Sequence, residues 1–135
     1  MSASCLDLLD HLHGSVSVVG SMNVDYTVVT ERLPEPGETV NGGPLTLLPG
    51  GKSANQASAA ARIGAQVRMF GAVGEDANAD FLLEHLRDAG VDTSHIAAVA
   101  GPSGTTVITV DANGENTIVS VSYTHLRAHE TVLDL

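Results

Sequence analysis

Apolar and β-branched residues occur in short runs along this chain, and each run is bounded by glycine, proline or polar residues. Runs of this length and composition are typical of buried strands. After the first run the alternation continues through SMNVDYTVV, where Asn23 and Asp25 interrupt it, so we expect both to end the first strand region. The pattern predicts strands at 16–20, 45–48, 66–73, 96–99, 105–111 and 116–121.

Two longer segments have the composition of helices. Residues 53–63 are dominated by alanine, with Ser53 as the predicted N-cap and Gly64 as the residue that ends the helix. Residues 76–89 carry apolar side chains on one side, and Gly90 closes that helix. Small side chains would let the first helix lie close against a sheet.

The order of these elements predicts an α/β fold. Strands and helices alternate over the central part of the chain, which favours a mostly parallel sheet. The Asn113-Gly114 pair is a tight-turn signal between the last two strands. We therefore expect a β-hairpin over 105–121, attached to the parallel sheet.

Charge and composition restrict the partners and the location. The 135 residues include 16 acidic and 6 basic side chains, a net charge of −10, which disfavours nucleic acid and anionic membrane surfaces. No apolar run approaches the roughly 18 residues that span a bilayer, and the N-terminus lacks the basic start of a signal peptide. The single Cys5 fits a reducing compartment, so a cytoplasmic location is expected.

The Gly50-Gly51-Lys52-Ser53 turn is the strongest local indication of a ligand site. Glycines allow close backbone approach, and the helix that follows directs free N–H groups at the turn. The phosphate-binding motif G-x-x-x-x-G-K-[ST] fails because Thr46 occupies its first glycine position. On these residues alone, the turn either binds a ligand or only leads into a helix.

Four polar side chains favour the ligand interpretation. Lys52 is the only lysine in the chain, and Asn55 lies three residues further along the same helix face. Asn23 and Asp25 would project to one face of an extended segment, where open α/β sheets bind ligands. This set of donors and acceptors suits a polyhydroxylated small molecule better than an apolar one.

Four segments, taken in order, resemble the ribokinases of the PfkB carbohydrate-kinase family. The resemblance covers about 16–121, and the GGK-x-ANQA form is closer to ribokinases than to fructokinases or adenosine kinases. Ser53 stands where ribokinases commonly have glycine. The segments are VVGSMNVDYTVV, PEPGETVNG, PGGKSANQASAAARIGA and FGAVGEDANADFLLEHLRDAGVDTSHI.

This resemblance implies a ribokinase-like, doubly wound, mostly parallel sheet with a β lid, of which this chain is the N-terminal part. In a full-length parent it implies ATP-dependent phosphorylation of D-ribose to ribose 5-phosphate, with Mg²⁺ and a monovalent cation such as K⁺. The lid would combine the 105–121 hairpin with strands near Asp25 and Val40 and would make a homodimer contact. Alternatives are another PfkB-type sugar or nucleoside kinase, or a non-catalytic sugar-binding fragment.

The same resemblance assigns the candidate site residues. Asn23 and Asp25 match the family's sugar-binding N-x-D pair, and Gly51, Lys52 and Asn55 match its second sugar-contact motif. The family's catalytic aspartate lies in a G-A-G-D motif that does not occur in this sequence. Because the nucleotide and cation sites belong to that same region, we expect no catalytic residue or metal ligand here and an inactive chain by itself.

The ends of the chain depart from the resemblance. The segment 121–131, VSYTHLRAHET, resembles one translated reading frame of a common transposon-end sequencing adapter. We therefore expect residues 1–14 to be an N-terminal extension, 15–120 to be the N-terminal part of a ribokinase-like domain, and 121–135 to be a non-native tail.

Overall fold

The computed structural model describes residues 14–121, so the predicted extension and tail lie outside the described residues apart from Gly14 and Val121. Within this range the chain forms seven strands and two helices. Helix α1 (Lys52–Arg62) precedes the fourth strand, and helix α2 (Ala77–Asp88) precedes the fifth. The strands are β1 (Ser15–Val19), β2 (Asn23–Val29), β3 (Thr46–Gly50), β4 (Gln66–Val73), β5 (Val91–Ala98), β6 (Gly104–Val110) and β7 (Asn116–Val121).

The strands form two sheets. The first is parallel, in the order β1-β4-β5, and the second is mixed, in the order β3-β2-β6-β7. In the second sheet β2 runs parallel to β6 and antiparallel to β3, and β6 and β7 form the expected antiparallel hairpin. The α/β class, with a parallel sheet and a second, lid-like sheet, is therefore confirmed.

Both helices pack on the first sheet. Residues of both helices and of the parallel strands belong to one core cluster, so both helices lie on the same face of this sheet. Alternate residues of β4 point into this layer and meet small residues of α1 and leucines of α2. Within residues 14–121, neither helix combines the length and apolarity needed to cross a membrane. The centre of the core contains Val67, Met69, Ala54, Ala57, Leu82 and Leu86.

The helix bounds agree with the sequence to within one residue, but the predicted N-cap of α1 is wrong. Helix α1 begins at Lys52, its N-cap is Gly51, and no side chain caps it. Gly51 has φ +98°, a left-handed conformation that turns the chain into the helix before Ser53 is reached. The Ser53 side chain instead lies against the backbone of Gly20.

The strand bounds differ where strands lie at sheet edges. Strand β3 continues through Pro49 to Gly50, because an edge strand tolerates a residue without an N–H. Strand β5 begins at Val91 rather than residue 96, because its polar first half lies on the exposed edge of the parallel sheet and lacks an apolar pattern.

The expected lid strand near Val40 is not formed. In that part of the chain only an isolated bridge joins Thr30 to Gly42. Glycines and prolines flank it on both sides and disfavour a longer ladder. The fourth strand of the second sheet is β3 instead.

Asn23 and Asp25 belong to the second sheet and do not end the first strand region. Strand β1 stops at Val19, and the Gly20 N–H still donates to the Phe70 carbonyl at 3.1 Å. The chain then crosses between the sheets at Met22, whose side chain is 1% exposed. Because Met22 is buried where the chain crosses, the alternating run that begins at residue 16 is divided between the two sheets.

Candidate functional site

Asn23 is flanked by a glycine on each neighbouring strand. In the register of the second sheet it lies opposite Gly50 of β3 and opposite Gly104 of β6. A Cβ atom on Gly104 would collide with Asn23 Oδ1, and one on Gly50 would collide with the Asp25 carboxylate. The two polar side chains therefore occupy space that two absent side chains leave free, on one face of β2.

The side-chain oxygen of Asn23 lacks a protein partner. Asn23 Oδ1 is buried and has no hydrogen-bond partner among the described residues. A buried acceptor left in this state costs about 1–3 kcal/mol, so native structures normally satisfy it with protein, water or ligand. A hydroxyl group of a bound molecule could supply the missing donor.

Asp25 lies next to this acceptor on the same face of β2. Burial raises the pKa of its carboxyl group above the usual value, and a hydrogen bond with the Thr106 side chain offsets part of that rise. Thr106 is the direct cross-strand neighbour of Asp25 and is itself buried. The carboxylate retains acceptor sites for hydroxyl groups because one threonine cannot saturate its two oxygens.

The glycine turn is held against the start of β2. A Cβ on Gly51 would lie 2.8 Å from both Met22 Cα and the Ser21 carbonyl oxygen, so only glycine fits this backbone contact. Lys52 follows as the first residue of α1 and is exposed. The first turn of α1 holds no acidic residue, so its unpaired N–H groups leave a positive helix end directly after the Gly51 turn.

Asn55 is oriented differently from the other predicted site residues. It lines a cavity of about 370 Å³ between α1 and α2, together with Pro49, His85 and Leu86, and neither Asn23 nor Asp25 lines that cavity. The structure thus brings Asn23, Asp25 and the Gly51 turn together, has Lys52 follow that turn as the first residue of α1, and leaves Asn55 at a neighbouring cavity.

Sequence reasoning missed two residues that shape this site. Gly104 makes room for the Asn23 side chain, and Thr106 lies directly opposite Asp25 in the register of the second sheet. Gly104 directly precedes the predicted strand 105–111, and a glycine in or beside a strand often marks close approach of another group. The sequence therefore indicates a close contact at Gly104. It does not identify Asn23 as the partner, because Asn23 lies 81 residues away along the chain.

The described residues show no metal site built from the usual side chains. No three His, Cys, Asp or Glu side chains within 14–121 lie close enough together to hold a metal ion. We assign no metal-dependent step to the described residues.

A family model described as pfkB family carbohydrate kinase matches residues 14–132. The matched range includes all the described residues and therefore both sheets and the site. It also runs through most of the predicted non-native tail, whose origin stays a prediction.

Curated and solved relatives include several ribokinases. The ribokinase of Bacillus subtilis (strain 168) is 43% identical over 107 residues, which are 79% of this chain and 36% of that protein. The crystal structure of ribokinase from Cryptococcus neoformans var. grubii serotype A in complex with ADP matches with 39% identity and a TM-score of 0.70, over 81% of this chain and 34% of that one.

A second solved relative is a complex with ribose and ATP. The structure of Arabidopsis thaliana ribokinase complexed with ribose and ATP matches with 36% identity and a TM-score of 0.67, over 81% of this chain and 35% of that one. The chain thus spans about a third of the length of the relatives that it matches. The chain belongs to the pfkB family of carbohydrate kinases.

Proposed function

We propose that this chain is part of an ATP-dependent sugar kinase that phosphorylates D-ribose to ribose 5-phosphate, and that it supplies sugar-binding groups. The observation that carries the proposal is the buried Asn23 Oδ1, which lacks a protein partner and lies beside the Asp25 carboxylate. Neighbouring acceptors of this kind suit the adjacent hydroxyl groups of a sugar.

Each candidate residue has a distinct task in this proposal. Asp25 accepts hydrogen bonds from sugar hydroxyls and Asn23 accepts another, while Gly51 lets the sugar approach the backbone. Lys52 donates to an oxygen of the sugar or of the transferred group from the start of α1. Asn55 reaches the same sugar if its side chain turns from the cavity between the helices.

The remaining chemistry is proposed for the full-length parent. Bound ATP would supply the phosphoryl group, and Mg²⁺ and K⁺ would act with it at residues outside those described. We also propose a cytoplasmic location and a homodimer through the second sheet. Because the catalytic aspartate of the family has no counterpart in this sequence, the 135-residue chain alone is proposed to be inactive.

The test begins with the source DNA. The locus downstream of the Ser120 codon is sequenced, the whole reading frame is expressed, and ADP release is measured with ribose, deoxyribose, fructose and adenosine. We expect ribose to give the highest kcat/KM. A parent that consumes ATP only with another sugar or a nucleoside would support the alternative PfkB-type kinase, and a parent with no sugar-dependent ADP release would contradict both.

A matched pair of variants then links the activity to the site. Asp25→Asn should lower kcat/KM for ribose by about a hundredfold, because an amide cannot replace both carboxylate acceptors. Asp92→Asn changes the same functional group at an exposed position on β5 and should leave kcat/KM unchanged. Equal effects of the two substitutions would contradict the assigned site.

A further inference from the structure

Asp76 joins helix α2 to the segment that leads into β6. As N-cap of α2, it accepts a hydrogen bond from the Ala79 N–H at 2.9 Å through Oδ1. The same oxygen accepts from the Ser103 hydroxyl at 2.7 Å, and Oδ2 accepts from the Ser103 N–H at 2.8 Å. Ser103 is 1% exposed, and its hydroxyl oxygen accepts from the Gly74 N–H at 3.0 Å.

Asn78, two residues further along, holds a second strand of the same sheet. Its side-chain oxygen accepts a hydrogen bond of 3.1 Å from the Tyr26 hydroxyl. Tyr26 lies in β2 between Asp25 and Thr27, and side chains alternate between the two faces of a strand. Tyr26 and Val24 therefore face the core and α2, while Asn23 and Asp25 face the opposite side.

Both contacts end next to the candidate sugar site. Ser103 immediately precedes Gly104, which leaves room for Asn23 Oδ1, and two residues later Thr106 lies directly opposite Asp25 in the strand register. Tyr26 immediately follows Asp25 on the opposite face of the same strand. A shift of either strand relative to α2 would therefore move the acceptors that the sugar needs.

We propose that the first turn of α2 is the positioning element of the sugar site. Through the Asp76–Ser103 and Asn78–Tyr26 contacts it sets the orientation of β6 and β2, and so of Asn23 and Asp25. Asp76, Asn78, Ser103 and Tyr26 are therefore positioning residues. They affect the sugar only through Asn23 and Asp25. The proposal deepens the proposed function and rests on it for the identity of the ligand.

The test uses the whole gene product with three variants. Ser103→Ala removes the hydroxyl but keeps its N–H, Asp76→Asn keeps the cap but replaces one acceptor by a donor, and Tyr26→Phe removes only the hydroxyl. We expect each to raise the KM for ribose by about tenfold, with kcat changed less than about twofold. Asp111→Asn is the control, because this carboxylate also accepts backbone N–H bonds, in the β6–β7 turn and away from α2.

A merely structural role would give a different result. It would reduce the fraction of folded enzyme, which lowers the apparent kcat and leaves KM unchanged, and that outcome in all three variants would overturn the proposal. A double variant of Asp76 and Ser103 should raise KM no further than the stronger single variant, because the two residues share their bonds. If the two substitutions raised KM independently, so that their effects multiplied in the double variant, this result would also contradict the proposal.

Hydrogen exchange distinguishes failure of this proposal from failure of the proposed function. In the Ser103→Ala and Tyr26→Phe variants, amide exchange should speed up about tenfold in β6 and β2 relative to β4. An inactive wild-type protein would refute the kinase assignment while exchange still decides the positioning role. Equal changes in all three strands would overturn that role even in an active enzyme.

Discussion

Asn23 lies opposite a glycine on each side, so the smallest possible side chains surround the acceptor that we assign to the sugar. The φ of Gly104 is not in the left-handed region, so backbone conformation does not require glycine there. Glycine is required because a Cβ atom would collide with Asn23 Oδ1. Gly104 and Gly50 thus contribute to the site by leaving room for the Asn23 and Asp25 side chains.

Replacing Gly104 by alanine tests this use of space. The new Cβ would lie 3.1 Å from the Met22 carbonyl oxygen and would displace the Asn23 side chain. We expect a loss of about 1–3 kcal/mol in the free energy of unfolding, the usual cost of overpacking, and about tenfold weaker ribose binding. Thermal unfolding and ribose titration of the parent measure the two effects.

Gly14→Ala is the matched control, because a Cβ there would have no neighbour within 4 Å. It should change neither quantity. If Gly104→Ala behaved like this control, the close contact with Asn23 would have no energetic consequence.

The acid limb of the pH profile should belong to Asp25. Since burial raises the pKa of this carboxyl group above 3.8, protonation should abolish its acceptor role at a higher pH than for an exposed aspartate. We expect kcat/KM for ribose to fall as the pH drops through this raised pKa. In Asp25→Asn that limb should disappear from the smaller residual activity, and a limb that persisted would assign the titration to another group.

The raised pKa of Asp25 affects the stability of the fold in the opposite direction to its effect on activity. A raised pKa means that the folded chain binds the proton more tightly than the unfolded chain, so this group lowers stability as pH rises from 3.8 through the raised value. Activity and stability should therefore respond to Asp25 in opposite directions over that window.

At the scale of elements, the two helices begin differently. Helix α1 has no side-chain cap and opens beside the site, whereas α2 is capped by Asp76 and tied to Ser103. The uncapped helix leaves N–H groups free for a ligand, and the capped one serves as an anchor.

Asp76→Ala should destabilise the protein in a pH-dependent way. Burial raises the pKa of Asp76, but hydrogen bonds from the Ser103 side chain and N–H, and from the N–H groups of Ala79 and Asn78, outweigh it and hold the pKa below 3.8. The group therefore adds stability above that pH, which is lost as the pH falls through the lowered pKa. We expect a loss of about 1–3 kcal/mol at pH 7.

Chemical unfolding at pH 7 and near pH 3 checks this prediction. The difference between wild type and Asp76→Ala should narrow at the lower pH. Asp80→Ala removes an exposed carboxylate from the same first turn and should change stability by under about 0.5 kcal/mol. A difference that is independent of pH would assign the effect to the helix alone and not to the charged network.

At the scale of the molecule, the second sheet ends in an exposed strand. Every residue of β7 is exposed, with Ile118 at 57% and Val119 at 64%, on opposite faces of the strand. An apolar edge strand of this kind is prone to association, and the proposed homodimer would cover it.

Val119→Lys and Ile118→Lys therefore test the proposed homodimer in the full-length parent. We expect at least one of them to convert a dimer to a monomer, because a lysine would bury its charge in the interface. Sedimentation or light scattering gives the mass. Glu84→Lys on the exposed surface of α2 should leave the mass unchanged, and a parent that is monomeric before any substitution would refute the homodimer.

Local patterns were sufficient for both helices and for some of the strands. The alanine-rich and leucine-bearing segments predicted α1 and α2, and the 66–73 and 116–121 runs predicted β4 and β7 with their observed bounds. The helices and strands depend on propensity and periodicity within a window of about 10–18 residues, whereas the family was indicated by the resemblance of four segments taken in order. That resemblance also selected the candidate site residues, Asn23, Asp25, Gly51, Lys52 and Asn55.

The arrangement of the site depends on contacts between distant residues, which no local pattern encodes. The division of one alternating run into β1 and β2, the pairing of Asn23 with Gly104, and the position of Asn55 at a separate cavity all follow from packing. Strand register and burial depend on partners that come together only when the sheets form. The sequence therefore identifies which side chains could bind a sugar, whereas the folded sheets determine which of them lie together and which residues hold them there.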